Sequence, residues 1–200
     1  MAAVFITGSG RRMGRVFALE FADRGWDVAV HYNSSPERAE ETFLQVKEKG
    51  VNAVKVQADV RSEAELEDAF AKAFSELGDI KVLVNNAGIF PPQKAPAEIY
   101  EDLWNNVLNI NLRGEFFAAK IFSKKAEPGA RIVNIASLGA YEIWKGRAPY
   151  HVSKAGVLQL TRVLARELAP DISVNAVCPG AIYMPDDPSE VDTTLISEKK

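Results

Sequence analysis

The chain has 200 residues, a length that fits a single domain. Hydrophobic residues make up 47% of it and charged residues 26%, which excludes disordered, collagenous and fibrous proteins. With 24 lysines and arginines against 27 aspartates and glutamates, the net charge is −3, which argues against a nucleic-acid partner. A single cysteine, no leader pattern and no apolar run of about 20 residues predict a cytoplasmic protein without a membrane partner.

Six short β-branched runs alternate with longer amphipathic segments along the chain. The runs predict strands at 3–7, 27–32, 53–57, 81–85, 131–136 and 173–177. The intervening segments predict helices at 14–24, 36–49, 63–77, 99–124 and 149–168. The alternation predicts an α/β fold with a Rossmann-type, doubly wound parallel sheet, in which ligands bind at the carboxyl ends of the strands.

A glycine-rich segment, TGSGRRMG, joins the first predicted strand to the first predicted helix. Gly8, Gly10 and Gly14 have the spacing G-x-G-x-x-x-G. Glycines allow the backbone to approach a pyrophosphate, which the amino-terminal end of a helix stabilises. Arg11 and Arg12 would crowd positive charge at that end unless an anion binds there. The pattern predicts a dinucleotide-binding loop, and the alternative is a glycine-rich turn without a ligand.

The end of the second predicted strand indicates which dinucleotide is bound. NAD sites usually have an acid there that binds the ribose 2′-hydroxyl, but VAVHYNSSPER has none before Glu37. His31, Asn33 and Ser34 offer donors instead, with Arg11 facing them from the first loop. Donors beside a cation suit a 2′-phosphate, so the sequence favours NADP(H). The alternative is a polar turn that caps the next helix.

Three residues form a candidate catalytic group. Tyr150 and Lys154 are four residues apart in YHVSK, so they share one face of a predicted helix. A free phenol has a pKa of about 10, and a neighbouring ammonium lowers it toward the working range of an acid–base catalyst. Ser137 follows the fifth predicted strand, where a reacting group is expected. A surface Tyr–Lys pair without catalytic function is the alternative.

In their order and spacing, these motifs resemble the classical short-chain dehydrogenase/reductase family from Val4 to about Met184. The segments ADV, NNAG, INLRG and CPGAI resemble further family motifs. The resemblance extends the expected cofactor site to Met13, Asp59, Val60, Asn86, Ala87, Gly88, Tyr150, Lys154, Pro179, Gly180 and Ile182.

The resemblance also implies a reaction, which is hydride transfer between a nicotinamide and a carbonyl or alcohol carbon. Tyr150 would exchange the proton and Ser137 would orient the substrate oxygen. Lys154 would hold the ribose and make the phenol more acidic. Asn111, in INLRG, would support a water relay behind the lysine.

Two branches of the family remain open as substrate predictions. The motif set resembles 3-oxoacyl-carrier-protein reductases and other carbonyl reductases. Arg12 and the HYNSS segment resemble pteridine reductases, which reduce a C=N bond and usually have Asp in place of Ser137. Arg12 could serve a pterin substrate or face solvent over the pyrophosphate.

Several expectations concern the carboxyl-terminal part and the assembly. Residues 1–184 are predicted to form the NADP(H)-binding catalytic domain, and 185–200 a polar tail that begins a substrate lid. The family continues with another helix and a seventh strand, which this chain is expected to lack. A non-enzymatic nucleotide-binding scaffold is therefore a further alternative. The resemblance implies a homodimer or homotetramer.

The remaining histidines and aromatic residues receive no catalytic role. His31 and His151 lack further ligands at zinc-site spacing, so no metal is predicted. His151 follows Tyr150 directly and should point away from it on a helix. Phe90, Trp104 and Trp144 are candidates for the substrate mouth, with ordinary packing as the alternative.

Overall fold

A computed structural model describes residues 2–184, and its centre is a six-stranded parallel sheet. The strands follow the order β3-β2-β1-β4-β5-β6. Their bounds are β1 Ala3–Ile6, β2 Asp27–Tyr32, β3 Ala53–Gln57, β4 Ile80–Asn85, β5 Ala130–Ile135 and β6 Ile172–Val177. This topology confirms the predicted doubly wound Rossmann-type sheet, and each predicted strand lies within one residue of its observed bounds.

The helices connect successive strands on both faces of the sheet. They are α1 Arg12–Asp23, α2 Pro36–Glu48, α3 Glu63–Leu77, α4 Glu101–Leu108, α5 Gly114–Ser123 and α6 Ala148–Glu167. The predicted bounds of α3 are confirmed because strong local signals define both ends. Ser62 accepts a hydrogen bond from the Glu65 N–H at the start, and Gly78 at φ +72° ends the helix.

Alternate residues of each strand face opposite cores. In β1, Ala3 and Phe5 belong to a core formed with α3, α5 and α6, where Phe5 stacks on Phe70 at 4.1 Å between ring centroids. Val4 and Ile6 belong to the other core, formed with α1 and α2. Burial on both faces explains why the strand sequences are continuously apolar.

The strand order changes direction between β1 and β4, which opens a crevice at their carboxyl ends. Thr7, just after β1, joins the two loops that border this crevice. Its Oγ1 accepts hydrogen bonds from the backbone N–H groups of Asn86 and Ala87, each at 2.9 Å. The crevice therefore has a fixed floor between the first and fourth strands.

The prediction of a single long helix at 99–124 is wrong in detail. The segment begins at Glu101, and a π-helical turn at Asn109–Arg113 separates α4 from α5. The side chain of Asn111 bonds both the N–H and the carbonyl of Ile89, at 2.8 and 2.9 Å. These hydrogen bonds between Asn111 and Ile89 stabilise the widened turn, which helical periodicity alone does not predict.

Within residues 2–184, no helix has the length and apolar composition that crossing a membrane requires.

Candidate active site

The loop after β1 packs closely around its glycines, most tightly at Gly14. A Cβ at Gly14 would lie 2.3 Å from the Gly8 carbonyl oxygen and 2.6 Å from the Asn86 amide nitrogen. A Cβ at Gly10 would lie 3.2 Å from the Cα of Ala39, and Gly8 has φ +66°. The glycine spacing therefore holds α1 against the ends of β1 and β4, at the predicted site of a dinucleotide.

The start of α1 fits a bound anion. The N-cap residue Arg11 makes no side-chain capping bond, and the first turn has no acidic residue. The first N–H groups of a helix have no acceptor within the helix, and they bear partial positive charge. Arg12 adds a cation and has φ +52°, a left-handed conformation that a non-glycine residue seldom adopts. These features match what a pyrophosphate requires.

His31 lies beneath the loop, which corrects its interpretation as a donor to a 2′-phosphate. Only 1% of the residue is exposed, and its Nδ1 accepts a hydrogen bond from the Gly8 N–H at 3.0 Å. Its backbone carbonyl accepts from the Ser9 N–H at 2.8 Å. Burial lowers the pKa of His31 to about 4. A neutral His31 therefore supports the glycine loop from the inside.

We expect acid to destabilise the protein through His31. The unfolded chain binds a proton near pH 6.5, whereas the folded chain binds it near pH 4, so stability falls as the pH drops between these values. The full contribution is up to about 3 kcal/mol. His31→Asn keeps an acceptor for Gly8 without a titrating group, so its unfolding free energy should fall less steeply from pH 6.5 to 4. Equal slopes in urea unfolding of the two proteins would contradict this account.

Beyond β2, the polar residues predicted to surround a 2′-phosphate lie at the surface. Asn33, Ser34 and Arg11 are exposed. The Asn33 side chain donates to Asp59, one of the predicted cofactor-site residues, and the Asn33 carbonyl accepts from Gln57 at 2.9 Å. Paired hydrogen bonds from Arg61 are the main cause that lowers the pKa of Asp59. Asp59 is therefore ionised and orders the residues at this end of the crevice.

The catalytic candidates Ser137 and Lys154 both meet the end of β5. Ser137 is 5% exposed, and its Oγ accepts a hydrogen bond from the Gly139 N–H at 3.0 Å. That bond uses an oxygen lone pair and leaves the hydroxyl proton available for a substrate oxygen. Lys154, from the first turns of α6, donates to the Ile135 carbonyl at 2.6 Å. Tyr150 lies one turn before Lys154 on α6 and is partly exposed.

Asn111 connects the π-helical turn to α6, which carries the catalytic candidates Tyr150 and Lys154. Its Nδ2 donates to Ser153 Oγ at 3.2 Å, and that hydroxyl donates to the Tyr150 carbonyl at 2.7 Å. Asn111 is fully buried. The side chain therefore fixes α6 relative to the loop that follows β4.

The turns after β4 and β6 complete the crevice. Asn86 donates to the Thr7 carbonyl at 2.8 Å, and a Cβ on Gly88 would lie 3.8 Å from Lys154 Nζ. The Pro179 carbonyl accepts from the Leu138 N–H at 2.8 Å, which ties this turn to the residue after Ser137. The remaining predicted cofactor residues lie in segments that follow the strands: Met13 in α1, Val60 after β3, Ala87 after β4, and Gly180 and Ile182 after β6.

Two aromatic rings lie next to Tyr150. Phe90 meets it edge to face at 4.7 Å, and Trp144 is nearly parallel to it at 6.4 Å. Two of the three predicted mouth residues therefore adjoin the catalytic candidate. Trp104 lines a surface groove with Tyr100 and Ala148.

His151 and Glu115 act at the site in ways that sequence reasoning missed. His151 holds the loop that carries Trp144: its ring nitrogens contact the Gly139 carbonyl at 2.6 Å and the Trp144 N–H at 2.9 Å. Glu115, at the start of α5, lies 3.3 Å from Lys154 Nζ. In the sequence, Glu115 could have been noticed as a charged residue within an apolar helical stretch.

Within residues 2–184, no group of three or more His, Cys, Asp or Glu side chains is placed to hold a metal ion.

Known proteins are similar to this chain in sequence and in fold. The family model for short chain dehydrogenase matches residues 2–192. A 3-oxoacyl-[acyl-carrier-protein] reductase FabG from Staphylococcus epidermidis is 36% identical over 183 residues, covering 90% of this chain and 75% of that protein.

Two solved structures resemble this one. A dehydrogenase from Burkholderia cenocepacia with bound NADP has a TM-score of 0.90 and 31% identity, covering 99% of this chain and 76% of that chain. Carveol dehydrogenase from Mycobacterium avium, in complex with NAD, has a TM-score of 0.84 and 29% identity, covering 89% of this chain and 70% of that chain. The family match, together with the parallel sheet and its crevice, assigns the chain: it belongs to the short-chain dehydrogenase/reductase family of oxidoreductases.

Proposed function

We propose that the protein is an NADP(H)-dependent oxidoreductase that interconverts a carbonyl and an alcohol, with Tyr150 as the acid–base. The observation that carries the proposal is the hydrogen bond from Lys154 to the carbonyl of Ile135, two residues before Ser137, with Tyr150 one helical turn before Lys154. This group borders the same crevice as the glycine loop. A proton donor, an orienting hydroxyl and a buried cation are what carbonyl reduction needs.

Each side chain has a distinct role in this proposal. A bound nicotinamide supplies the hydride at its C4 carbon. Ser137 donates its free hydroxyl proton as a hydrogen bond and orients the substrate oxygen, while Tyr150 gives that oxygen its proton. Lys154 holds the ribose and stabilises the phenolate left on Tyr150. Asn111 supports a water path behind Lys154 that returns the proton.

The preference for NADP(H) rests on an exposed cation after β1 and exposed polar side chains after β2. Arg11 is exposed in the first loop, and Asn33 and Ser34 are exposed in the second. The Asp59 carboxylate is engaged by Arg61 and Asn33. A 2′-phosphate beside Arg11 would gain a charge-assisted hydrogen bond that a 2′-hydroxyl does not. The solved relatives include one with NADP and one with NAD, so the cofactor needs a direct test.

We expect Arg11→Ala to weaken NADPH binding by about tenfold and NADH binding by less than about twofold. Fluorescence titration of the wild type and the variant with both cofactors measures these changes. Arg24→Ala, an exposed arginine at the far end of α1, is the matched control and should bind as the wild type does. Tighter binding of NADH than NADPH by the wild type would overturn the NADP(H) proposal. Binding of neither cofactor would overturn the proposal that the crevice holds a nicotinamide dinucleotide.

The substrate class we favour is a ketone or secondary alcohol. The free hydroxyl proton of Ser137 supports this choice, as does the FabG relative whose name specifies a 3-oxoacyl substrate. The pterin alternative rests on Arg12, an arginine with a left-handed backbone conformation at the start of α1. Turnover of ketones and dihydropterins in parallel separates the two, and faster turnover of dihydropterins would reverse the choice.

We also propose a cytoplasmic homodimer or homotetramer. Apolar side chains on the outer faces of α5 and α6, namely Phe116, Val152 and Val163, are 40–48% exposed and support contact between copies. Analytical ultracentrifugation measures the assembly.

A further inference from the structure

A buried carboxylate accompanies the lysine of the proposed catalytic group. Glu115 is 3% exposed, and its Oε1 lies 3.3 Å from Lys154 Nζ. Lys154 also donates to the Ile135 carbonyl, so two of its three N–H donors are used inside the protein. Glu115 therefore helps to fix the ammonium that the proposed reaction requires.

Glu115 lines a narrow gap at the ends of β1 and β4. Glu115 Oε2 and Asn85 Oδ1 are both buried, and neither has a hydrogen-bond donor within the described residues. Both residues line this gap together with Thr7, Ala87 and Gly114. Buried acceptors without a donor are unfavourable, and a proton on Glu115 would turn one of them into a donor.

The surroundings of Glu115 favour the protonated form of its carboxyl group. Burial raises the pKa of Glu115 to about 7, against the opposing attraction of Lys154. The charged group that influences the pKa of Glu115 is Lys154 of α6. The strands contribute uncharged Thr7 and Asn85, whereas Glu63 of α3 is paired with Lys120 at 2.6 Å near the surface.

We propose that Glu115 is a positioning residue that holds Lys154 at the end of β5 and, by gaining or losing a proton, sets the net charge beneath Tyr150. This inference rests on the proposed function of Tyr150 and Lys154. With Glu115 protonated, Lys154 is an uncompensated cation that stabilises a phenolate. With Glu115 ionised, the pair is neutral and the stabilisation is weaker.

The first experiment tests the protonation of Glu115 in the absence of a cofactor. In wild-type protein labelled with ¹³C at the glutamate carboxyls, one carboxyl should titrate near pH 7, and its signal should be missing from Glu115→Gln. The wild type should also lose thermal stability relative to Glu115→Gln as the pH rises from 5 to 7.5, because the folded protein binds this proton more tightly than the unfolded chain. If no glutamate titrates above pH 6, the inference fails even if the variant does not fold.

The second experiment tests the link to Tyr150. In alcohol oxidation, Glu115→Gln should move the midpoint of the kcat/KM pH profile about one unit lower, because Lys154 is no longer compensated at high pH. Glu63→Gln, which removes an exposed carboxylate paired with Lys120, is the control and should keep the wild-type midpoint. An unchanged midpoint in Glu115→Gln, with Tyr150→Phe inactive, overturns this inference alone. An active Tyr150→Phe overturns the proposed function.

Discussion

Replacing Tyr150 by phenylalanine is expected to leave NADPH binding unchanged and to lower kcat by about 10²–10⁴-fold, the range for loss of a general acid. The substitution removes the hydroxyl only. The ring keeps its edge-to-face contact with Phe90 at 4.7 Å and its near-parallel arrangement with Trp144. Fold and cofactor site should therefore persist while proton transfer fails. Steady-state rates, with fluorescence titration of NADPH, measure both effects.

The control for this variant is Tyr141→Phe. Tyr141 lies nine residues earlier and is 65% exposed, so loss of its hydroxyl should leave kcat and KM unchanged. Equal rates for Tyr150→Phe and the wild type would exclude Tyr150 as the acid–base. Loss of NADPH binding together with activity would instead indicate that the hydroxyl serves the cofactor.

Adding one methyl group at Gly14 is expected to abolish tight cofactor binding. The new Cβ would lie 2.3 Å from the Gly8 carbonyl oxygen and 2.8 Å from the Cα of Ser9, so the loop backbone must move. Overpacking of this kind costs about 1–3 kcal/mol of stability. Displacing the N–H groups that would face the pyrophosphate should weaken NADPH binding by more than about tenfold.

Val16→Ala is the matched control on the same helix. Val16 is 44% exposed on α1, two residues beyond Gly14, and its truncation should leave NADPH binding unchanged. Thermal unfolding and NADPH titration of both variants separate a general weakening of α1 from a local loss at the loop. Wild-type NADPH affinity in Gly14→Ala would contradict the proposed cofactor position.

The sequence alone determined the strands, most helices and the family because these depend on local signals. The runs of β-branched residues define the strands to within one residue, and Ser62 and Gly78 define the ends of α3. The glycine spacing and the Tyr150–Lys154 pair are likewise short-range patterns. Each follows from the chemistry of neighbouring residues, so no tertiary contact is needed to recognise it.

Only the tertiary structure decided what lies beneath the crevice. His31 supports Gly8, 23 residues earlier, rather than facing solvent at the end of its strand. Asn111 bonds Ile89 across 22 residues and divides the predicted long helix. Glu115 meets Lys154 across 39 residues. These contacts depend on which side chains the packed sheet and helices bring together, and burial then determines their protonation. Neither follows from periodicity or motif spacing.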